Sequence, residues 1–195
     1  MKLEPVALEN RFVRLEPLCE AVIGELAAAL NVDPEAWSIQ SLSAMGREFP
    51  AWWETIRTQA EAGKSLLYAV RRVEDGRVVG VSGYHDMDLA HDSLYVGYTF
   101  YRPEARGGAV NPACKRLLFG QAFDLGAMRV GLMIDSVNAR SQAAAAKLGA
   151  VREGVLRSHK ITWTGRVRDT VVLSVVRDEW PAVRDALDAR LVKFS

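Results

Sequence analysis

Basic side chains cluster around one glycine-containing turn in the middle of the chain. Arg102 and Arg106 precede a helical pattern, and Lys115 and Arg116 lie just inside it. The N-terminal end of a helix is positive and favours acidic side chains, so cations at this position indicate that an anion binds there. The glycines at 107–108 would let the oxygens of an anion approach backbone N–H groups closely. The pattern indicates a diphosphate site, although an ordinary strand-to-helix connection with solvated basic side chains would have the same sequence.

The elements on either side of this turn are a strand and a helix. A β-rich run ends at Tyr101, and apolar residues then recur at helical spacing from Val110 to Leu125. Asn111 followed by Pro112 predicts an N-cap with proline at the first helical position, where the missing N–H would have no intrahelical partner. A strand, a basic glycine-containing loop and a helix in this order can hold a phosphate group.

A second stretch, from Asp135 to Ala150, reads D-S-V-N-A-R-S-Q-A-A-A-A-K-L-G-A and is followed by R-E-G-V-L-R. With the basic loop, it resembles the GNAT superfamily of acetyl-CoA-dependent N-acetyltransferases. It is most similar to the branch that contains the bacterial ribosomal-protein N-terminal acetyltransferases. The resemblance runs from about Leu8 to the final helix, and its most specific part is Asn138-x-x-Ser141 followed by Lys-Leu-Gly-Ala.

The resemblance implies acetyl-CoA as co-substrate, with the pantetheine arm held along a splayed strand pair and the diphosphate held by the loop and helix. The residues carried over for the arm are Tyr98, Thr99, Phe100, Tyr101, Asn138 and Ser141, and those for the diphosphate are Arg106, Gly107, Gly108, Ala109, Asn111 and Lys115. The family loop usually has glycines where this chain has Ala109 and Asn111, and Pro112 removes one N–H donor. A shifted register through the two glycines at 107–108 would compensate.

The same resemblance assigns the leaving thiolate a proton donor. Many relatives carry a tyrosine seven residues after the asparagine, but Ala145 occupies that position here. Ser141 is then the better candidate for the acid. The alternative interpretation is that Asn138 only caps the helix and Ser141 is an ordinary first-turn residue.

How much help the acceptor amine needs from a base depends on the pKa of that amine. Deprotonation at pH 7 costs about 4 to 5 kcal/mol for a lysine side chain but about 1 kcal/mol for an α-amino group. A weak base therefore suffices for a protein or peptide N-terminus. The candidates are Asp86, His85 and His159, although each is individually more typical of a surface or packing residue.

Two adjacent tryptophans, Trp52 and Trp53, open a predicted helix that the resemblance places at the acceptor site together with His85. Helical neighbours lie about 100° apart, so one tryptophan would pack inward and the other would edge a cleft. The alternative is that both tryptophans are core residues. A polyamine or antibiotic acceptor would be expected to need an acidic pocket. The carboxylates that could form it if they converge are Glu48, Glu54, Asp86 and Asp88.

Composition excludes several other function classes. The chain has 195 residues, a formal net charge of +1, 49% apolar residues and 25% charged residues, as expected for one soluble globular domain spanning 1–195. This balance gives no global attraction for nucleic acid or a membrane. Cys19 and Cys114 fit neither a disulfide framework nor a zinc site, so we expect no metal and a cytoplasmic location. A homodimer and a non-catalytic acyl-CoA-binding module are both compatible with this sequence.

The order of elements predicts an α/β (α+β) fold with a mixed, largely antiparallel central sheet and flanking helices. A Rossmann fold is disfavoured because G-x-G-x-x-G is absent. The predicted strands are Arg11–Leu18, Leu66–Arg72, Arg77–Met87, Ser93–Tyr101, Met128–Asp135, Val151–Thr162 and Arg166–Val176. The predicted helices are Glu20–Leu30, one opened by Asp33-Pro34, one from Pro50 to Gly63, the one after Asn111, one from Asn138 or Ala139 to Leu148, and Asp178–Leu191.

Overall fold

The computed structural model describes residues 2–194. Its strands are β1 (Leu8–Glu9), β2 (Val13–Pro17), β3 (Ser65–Arg72), β4 (Val78–Asp88), β5 (Ser93–Tyr101), β6 (Arg129–Asp135), β7 (Val151–Ile161) and β8 (Val167–Val176). Its α-helices are α1 (Glu20–Leu30), α2 (Pro34–Ser38), α3 (Phe49–Glu61), α4 (Val110–Asp124), α5 (Ala139–Leu148) and α6 (Trp180–Val192). Short 3-10 turns precede α3, α4 and α6.

The strands form one eight-stranded sheet in the order β1-β2-β3-β4-β5-β6-β8-β7. Every neighbouring pair is antiparallel except β5 and β6, which are parallel. A parallel pair requires a crossover connection, and α4 supplies it. The predicted mixed, largely antiparallel sheet with flanking helices is confirmed.

Helices cover both faces of the sheet, as the buried residues of β3 illustrate. Tyr68 and Val70 belong to the core under α4 and α6, whereas Leu67 and Ala69 belong to the core under α1, α2 and α3. Successive strand residues point to opposite faces, so a strand covered on both faces favours an unbroken apolar run, as β3 has at 66–70. The sheet is therefore the middle layer of three.

Local capping and turn signals explain several element boundaries. Asp75 accepts the Arg77 N–H at 3.2 Å in the β3–β4 hairpin, as the Asp-Gly pair predicts. Asn138 accepts the Ser141 N–H at 3.0 Å at the start of α5, and Gly149 ends that helix at φ 92°. An L-residue with a side chain would be strained at that φ, so glycine suits this C-terminal position. These predictions are confirmed.

The predicted start of α4 is wrong by about two residues. The helix begins at Val110, with Ala109 as N-cap, and its first backbone bond from the amide of Ala113 goes to Ala109. Asn111 is thus the second helical residue and Pro112 the third. Proline is tolerated throughout the first turn, because none of those N–H groups has an intrahelical acceptor, so the Asn-Pro pair did not fix the register.

The sheet opens between β5 and β6. Their pairing covers Ser93–Tyr95 with Arg129–Gly131, and beyond it the described strands give β5 no partner on that side. Farther along β5, Tyr98 and Thr99 together face the single residue Ser82 of β4, with Tyr98 at φ 49°. Two residues opposite one is a β-bulge, which bends the strand and re-aims its backbone groups. The divergence and the bulge together create open space around the middle of β5.

Candidate active site

Two cavities of about 850 and 860 Å³, open mouths included, lie at the divergence of β5 and β6 and share one wall. The first cavity is lined mainly by β5, β6, the N-terminal part of α4 and one side of α5, with further residues from β8 and α6. The second cavity is lined by β4, β5, α2, α3 and the segment 40–42. The residues of the shared wall are Gln40, Gly97, Tyr98, Thr99, Met133 and Arg168. A ligand group in one cavity can therefore meet a group in the other beside the bulge.

The Lys115 side chain is hydrogen-bonded to both strands at the bulge. Its Nζ donates to Thr99 Oγ1 at 2.7 Å and to Ser82 Oγ at 3.1 Å, and its side chain is buried. Burial lowers the pKa of the Lys115 ammonium to about 8, because a low-dielectric site disfavours the charged form. Lys115 lines the first cavity, but it points toward the strands and not toward the loop as expected.

The N-terminus of α5 projects into the first cavity. Asn138 and Ser141 both line it, beside Ala144 and Ala145. The small side chains leave room along the helix, and the Ser141 hydroxyl lies one turn inside the cap. The structure therefore brings these two sequence-predicted residues together in one cavity.

The cations around the loop have partners within the protein. The ion pairs are Arg102 with Glu104, Arg106 with Asp33, and Arg116 with Asp188. Arg106 also donates to the Tyr101 carbonyl at 2.7 Å and lies over the Phe100 ring. Each of these charges thus faces a carboxylate or, for Lys115, two hydroxyl groups, and the diphosphate site at this loop stays a prediction.

The loop residues are divided between different surfaces. Asn111 lines the first cavity with Pro112. Arg106, Gly108 and Ala109 line a separate groove beside β2, and Gly107 adopts φ 80° without lining either cavity. Among the predicted loop positions, the side chain of Asn111 is thus the one that reaches the first cavity.

The strand residues predicted for the pantetheine arm are divided in the same way. Tyr98 and Thr99 belong to the shared wall, and Phe100 lines only the second cavity, stacked on Trp37 at 4.3 Å. Tyr101 lines neither cavity and is buried in the core under α4.

A carboxylate and an imidazole line the second cavity, and a second imidazole lies near the carboxylate. His85 Nδ1 is 3.0 Å from Asp86 Oδ2, and both residues line the cavity. The hydrogen bond with His85 holds the pKa of Asp86 below its usual range, helped by the positive charge of Lys160. His159 lies outside the lining but close enough to interact with Asp86, and burial lowers its own pKa. Asp86 is therefore ionised and His159 neutral at pH 7.

The two adjacent tryptophans point in different directions. Trp52 is buried and lines the second cavity. Trp53 is half-buried and donates its indole N–H to Glu20 Oε1 at 3.4 Å, outside the cavity lining. The expectation that the inward and cleft-edging tryptophans would be different residues is wrong, because Trp52 does both.

The four acidic residues considered for a polycation pocket do not converge. Glu48 pairs with Arg47, Glu54 pairs with Arg57, and Asp88 pairs with His91. Of the four, only Asp86 is found in the cavity lining. The described residues thus give the second cavity one carboxylate.

Several cavity residues carried no recognisable signal in the sequence. They are Trp37, Gln40, Lys160, Arg168 and Arg190. Arg168 and Lys160 lie on strands of the last hairpin, where charged residues alternate with apolar ones as on any half-exposed strand. Only the fold shows that these side chains face the divergence.

Within residues 2–194, no three His, Cys, Asp or Glu side chains are grouped so as to hold a metal ion. No helix in that range is long and apolar enough to span a bilayer.

Comparison with known proteins gives one consistent family. The family model described as "Acetyltransferase (GNAT) domain" matches residues 13–151. A GCN5-related N-acetyltransferase from Brucella melitensis is 30% identical, with a TM-score of 0.87 over 98% of this chain and 87% of that one. Mycobacterium smegmatis RimJ in complex with CoA-disulfide has a TM-score of 0.76 at 20% identity, over 91% of this chain and 88% of that one. Bacillus subtilis YdaF, provisionally named a ribosomal N-acetyltransferase, is 28% identical over 62% of this chain and 61% of its own length.

Proposed function

Because this chain belongs to the GNAT family of acetyltransferases, we propose that it transfers acetyl from acetyl-CoA to the α-amino group of a protein or peptide N-terminus. The observation that carries the proposal is the single ionised carboxylate, Asp86, in the second cavity. An α-amino group needs little help to lose its proton at pH 7, whereas a lysine or polyamine nitrogen needs a stronger base or an acidic pocket. The name of YdaF supports the same acceptor class.

The first cavity fits the acyl donor. It offers the unpaired edge of β5 beyond Tyr95, the first-turn amides of α4 near Asn111, and the polar side chains of Asn138 and Ser141. Backbone N–H groups at a helix start bind phosphate oxygens without needing a free cation. When bound there, acetyl-CoA would supply a thioester that the amine attacks, with the CoA thiolate as leaving group.

The residues that line the two cavities then have distinct roles. Asp86 accepts a hydrogen bond from the acceptor amine and takes its proton as the new C–N bond forms, when even a weak base suffices because the nitrogen has become acidic. The re-aimed backbone of the bulge at Tyr98 and Thr99 holds the acyl oxygen. Ser141 Oγ donates its proton toward the departing sulfur and regains one from solvent, to which Asp86 releases the proton taken from the amine. His85 holds the Asp86 carboxylate in place.

A small amine is the second candidate acceptor, and one contact favours it. Trp163, next to the β7–β8 turn, donates its indole N–H to the Trp37 carbonyl at 2.8 Å. This bond ties the hairpin to α2, which lines the second cavity, and so restricts the entry of a bulky chain.

Thiol release from acetyl-CoA separates these alternatives. We expect peptides with free N-termini to be acetylated with kcat/KM above that of polyamines, amino acids and aminoglycosides. Small amines reacting a hundredfold better than every peptide, equivalent to about 2.7 kcal/mol in transition-state binding, would contradict the protein acceptor. Tight CoA binding in calorimetry without turnover of any amine would identify a binding module.

A further inference from the structure

Arg168 is a buried cation in the wall that the two cavities share. Its Nε donates to Thr170 Oγ1 at 3.0 Å, Nη1 donates to Ser41 Oγ at 3.2 Å, and Nη2 donates to the Met133 carbonyl at 3.3 Å. A guanidinium carries five N–H groups, two of them on each terminal nitrogen. These contacts use one N–H of each terminal nitrogen and leave a second N–H on both, so the guanidinium can still donate hydrogen bonds to a carboxylate.

The charge of Arg168 is weakly compensated inside the protein. Among the described residues, the one carboxylate near it is Asp135, whose Oδ2 lies 3.9 Å from Nε. That same oxygen forms a closer ion pair with Arg166. A buried cation without a close counter-ion is unfavourable unless a ligand supplies the anion.

Lys160 adds a second positive charge to the lining of the second cavity. The charged residues of that lining are Lys160, Arg168 and Asp86, and Lys160 lowers the pKa of Asp86 through its charge. The lining can therefore receive one positive and one negative group of the same molecule.

We propose that Arg168, assisted by Lys160, binds a carboxylate of the acceptor close to the amine that Asp86 receives. This inference rests on the proposed acetyl transfer and selects acceptors with a carboxylate near the amine, among peptide N-termini or, for the second candidate acceptor, small amines. The carboxylate has two sources: the acidic side chain of a peptide's first residue, or the α-carboxylate of a free amino acid. Arg168 is on this view a specificity-determining residue, and Asp86 remains the group that handles the proton.

Isosteric acceptor pairs test the inference directly. We would measure kcat/KM for peptides beginning with Asp against the same peptides beginning with Asn, and for free amino acids against their amides. The acid of each pair should be preferred by about tenfold to a hundredfold, as for one charge-assisted bidentate contact. The pair showing the larger preference identifies the source of the carboxylate. Equal rates for acid and amide in both pairs would overturn the inference while leaving the acetyltransferase activity, and so the proposed function, intact.

Variants connect the preference to the residue. In Arg168→Gln the acid-to-amide ratio should fall to about one through a higher KM for the acid, whereas Arg168→Lys should keep part of it, because a lysine retains charge but not the fork. Lys160→Gln should lower the ratio less, and Arg157→Gln, which removes an exposed charge on the same strand, should not change it.

Ser41→Ala controls for a merely structural role. It removes one anchor of Arg168 without removing the charge. The ratio should survive in Ser41→Ala if Arg168 binds the acceptor. Arg168→Gln could instead lower kcat/KM equally for the acid and the amide and weaken CoA binding in calorimetry. That result would assign Arg168 to the first cavity and refute the inference.

Discussion

The two cavities meet at one wall but are assembled in different ways. The first is formed mainly by two strand–helix units that are continuous in the chain, β5 with α4 and β6 with α5. The second takes Trp37, Trp52, Asp86 and Arg168 from four elements that are far apart in the sequence. The proposed donor side is thus fixed by local connections and the proposed acceptor side by tertiary contacts. Substitutions should be able to change acceptor handling without changing CoA affinity.

Asp86→Asn should separate turnover from CoA affinity more than any other substitution. Removing the proton acceptor should lower kcat about a hundredfold or more, the range for general-base residues. The affinity for CoA should stay unchanged, because Asp86 lines only the second cavity. Steady-state kinetics with a peptide acceptor and calorimetry with CoA measure the two quantities.

Asp88→Asn is the matched control for Asp86. Asp88 lies on the same strand and pairs with His91, outside both cavity linings. Its amide variant should keep wild-type kcat. Equal losses in both variants would mean that the net charge of the strand, and not a particular carboxylate, supports the reaction.

Lys115→Met tests what holds the shared wall in shape. Burial lowers the pKa of Lys115 to about 8, against a reference value of about 10.4. Between those values the unfolded chain binds more protons than the folded one, so the free energy of unfolding should rise with pH in that window. Below pH 8 the buried ammonium destabilises the fold in full. Lys115→Met should therefore be more stable there by about 2 kcal/mol.

Urea unfolding at pH 7 and at about pH 10 measures this difference. The variant should lack the rise in stability between the two pH values. Lys147→Met, which replaces an exposed lysine of α5, should show the wild-type pH dependence. A variant less stable than wild type at pH 7 would show that the bonds to Ser82 and Thr99 outweigh the burial of the charge.

The sequence predicted those parts of the site that depend on neighbouring residues. Asn138 and Gly149 mark the ends of α5 because capping is decided within one helical turn. The ion pair of Arg106 was not predicted, because its partner Asp33 is 73 residues away in the chain. Arg168 could not be distinguished from a surface charge for the same reason: its neighbours Ser41 and Met133 are brought to it only by the fold.

Ser141→Ala tests the donor side alone. The hydroxyl is removed while the Ser141 N–H bond to Asn138 is retained, so α5 should keep its cap. We expect kcat to fall about tenfold, less than the hundredfold or more typical of a general acid, because a thiolate with a reference pKa of about 8.5 can leave with little protonation. CoA affinity should change little. Unchanged kcat would remove the proposed role of Ser141 as proton donor to the thiolate, provided that a pre-steady-state measurement shows chemistry to be rate-limiting.

Substitutions of Asn138 should have the smallest effects. They separate its role as the N-cap of α5 from its proposed contact with the pantetheine arm. Asn138→Ala should lower the free energy of unfolding by about 1 kcal/mol through loss of the N-cap, and it should weaken CoA binding. Asn138→Asp restores a capping oxygen but has no NH₂ group to donate to the pantetheine arm. If Asn138 both caps α5 and binds the arm, the Asp variant should recover stability in urea unfolding but not CoA affinity in calorimetry. Recovery of both would show that Asn138 acts on CoA only by fixing the helix start, and the first cavity would then owe its affinity to backbone geometry.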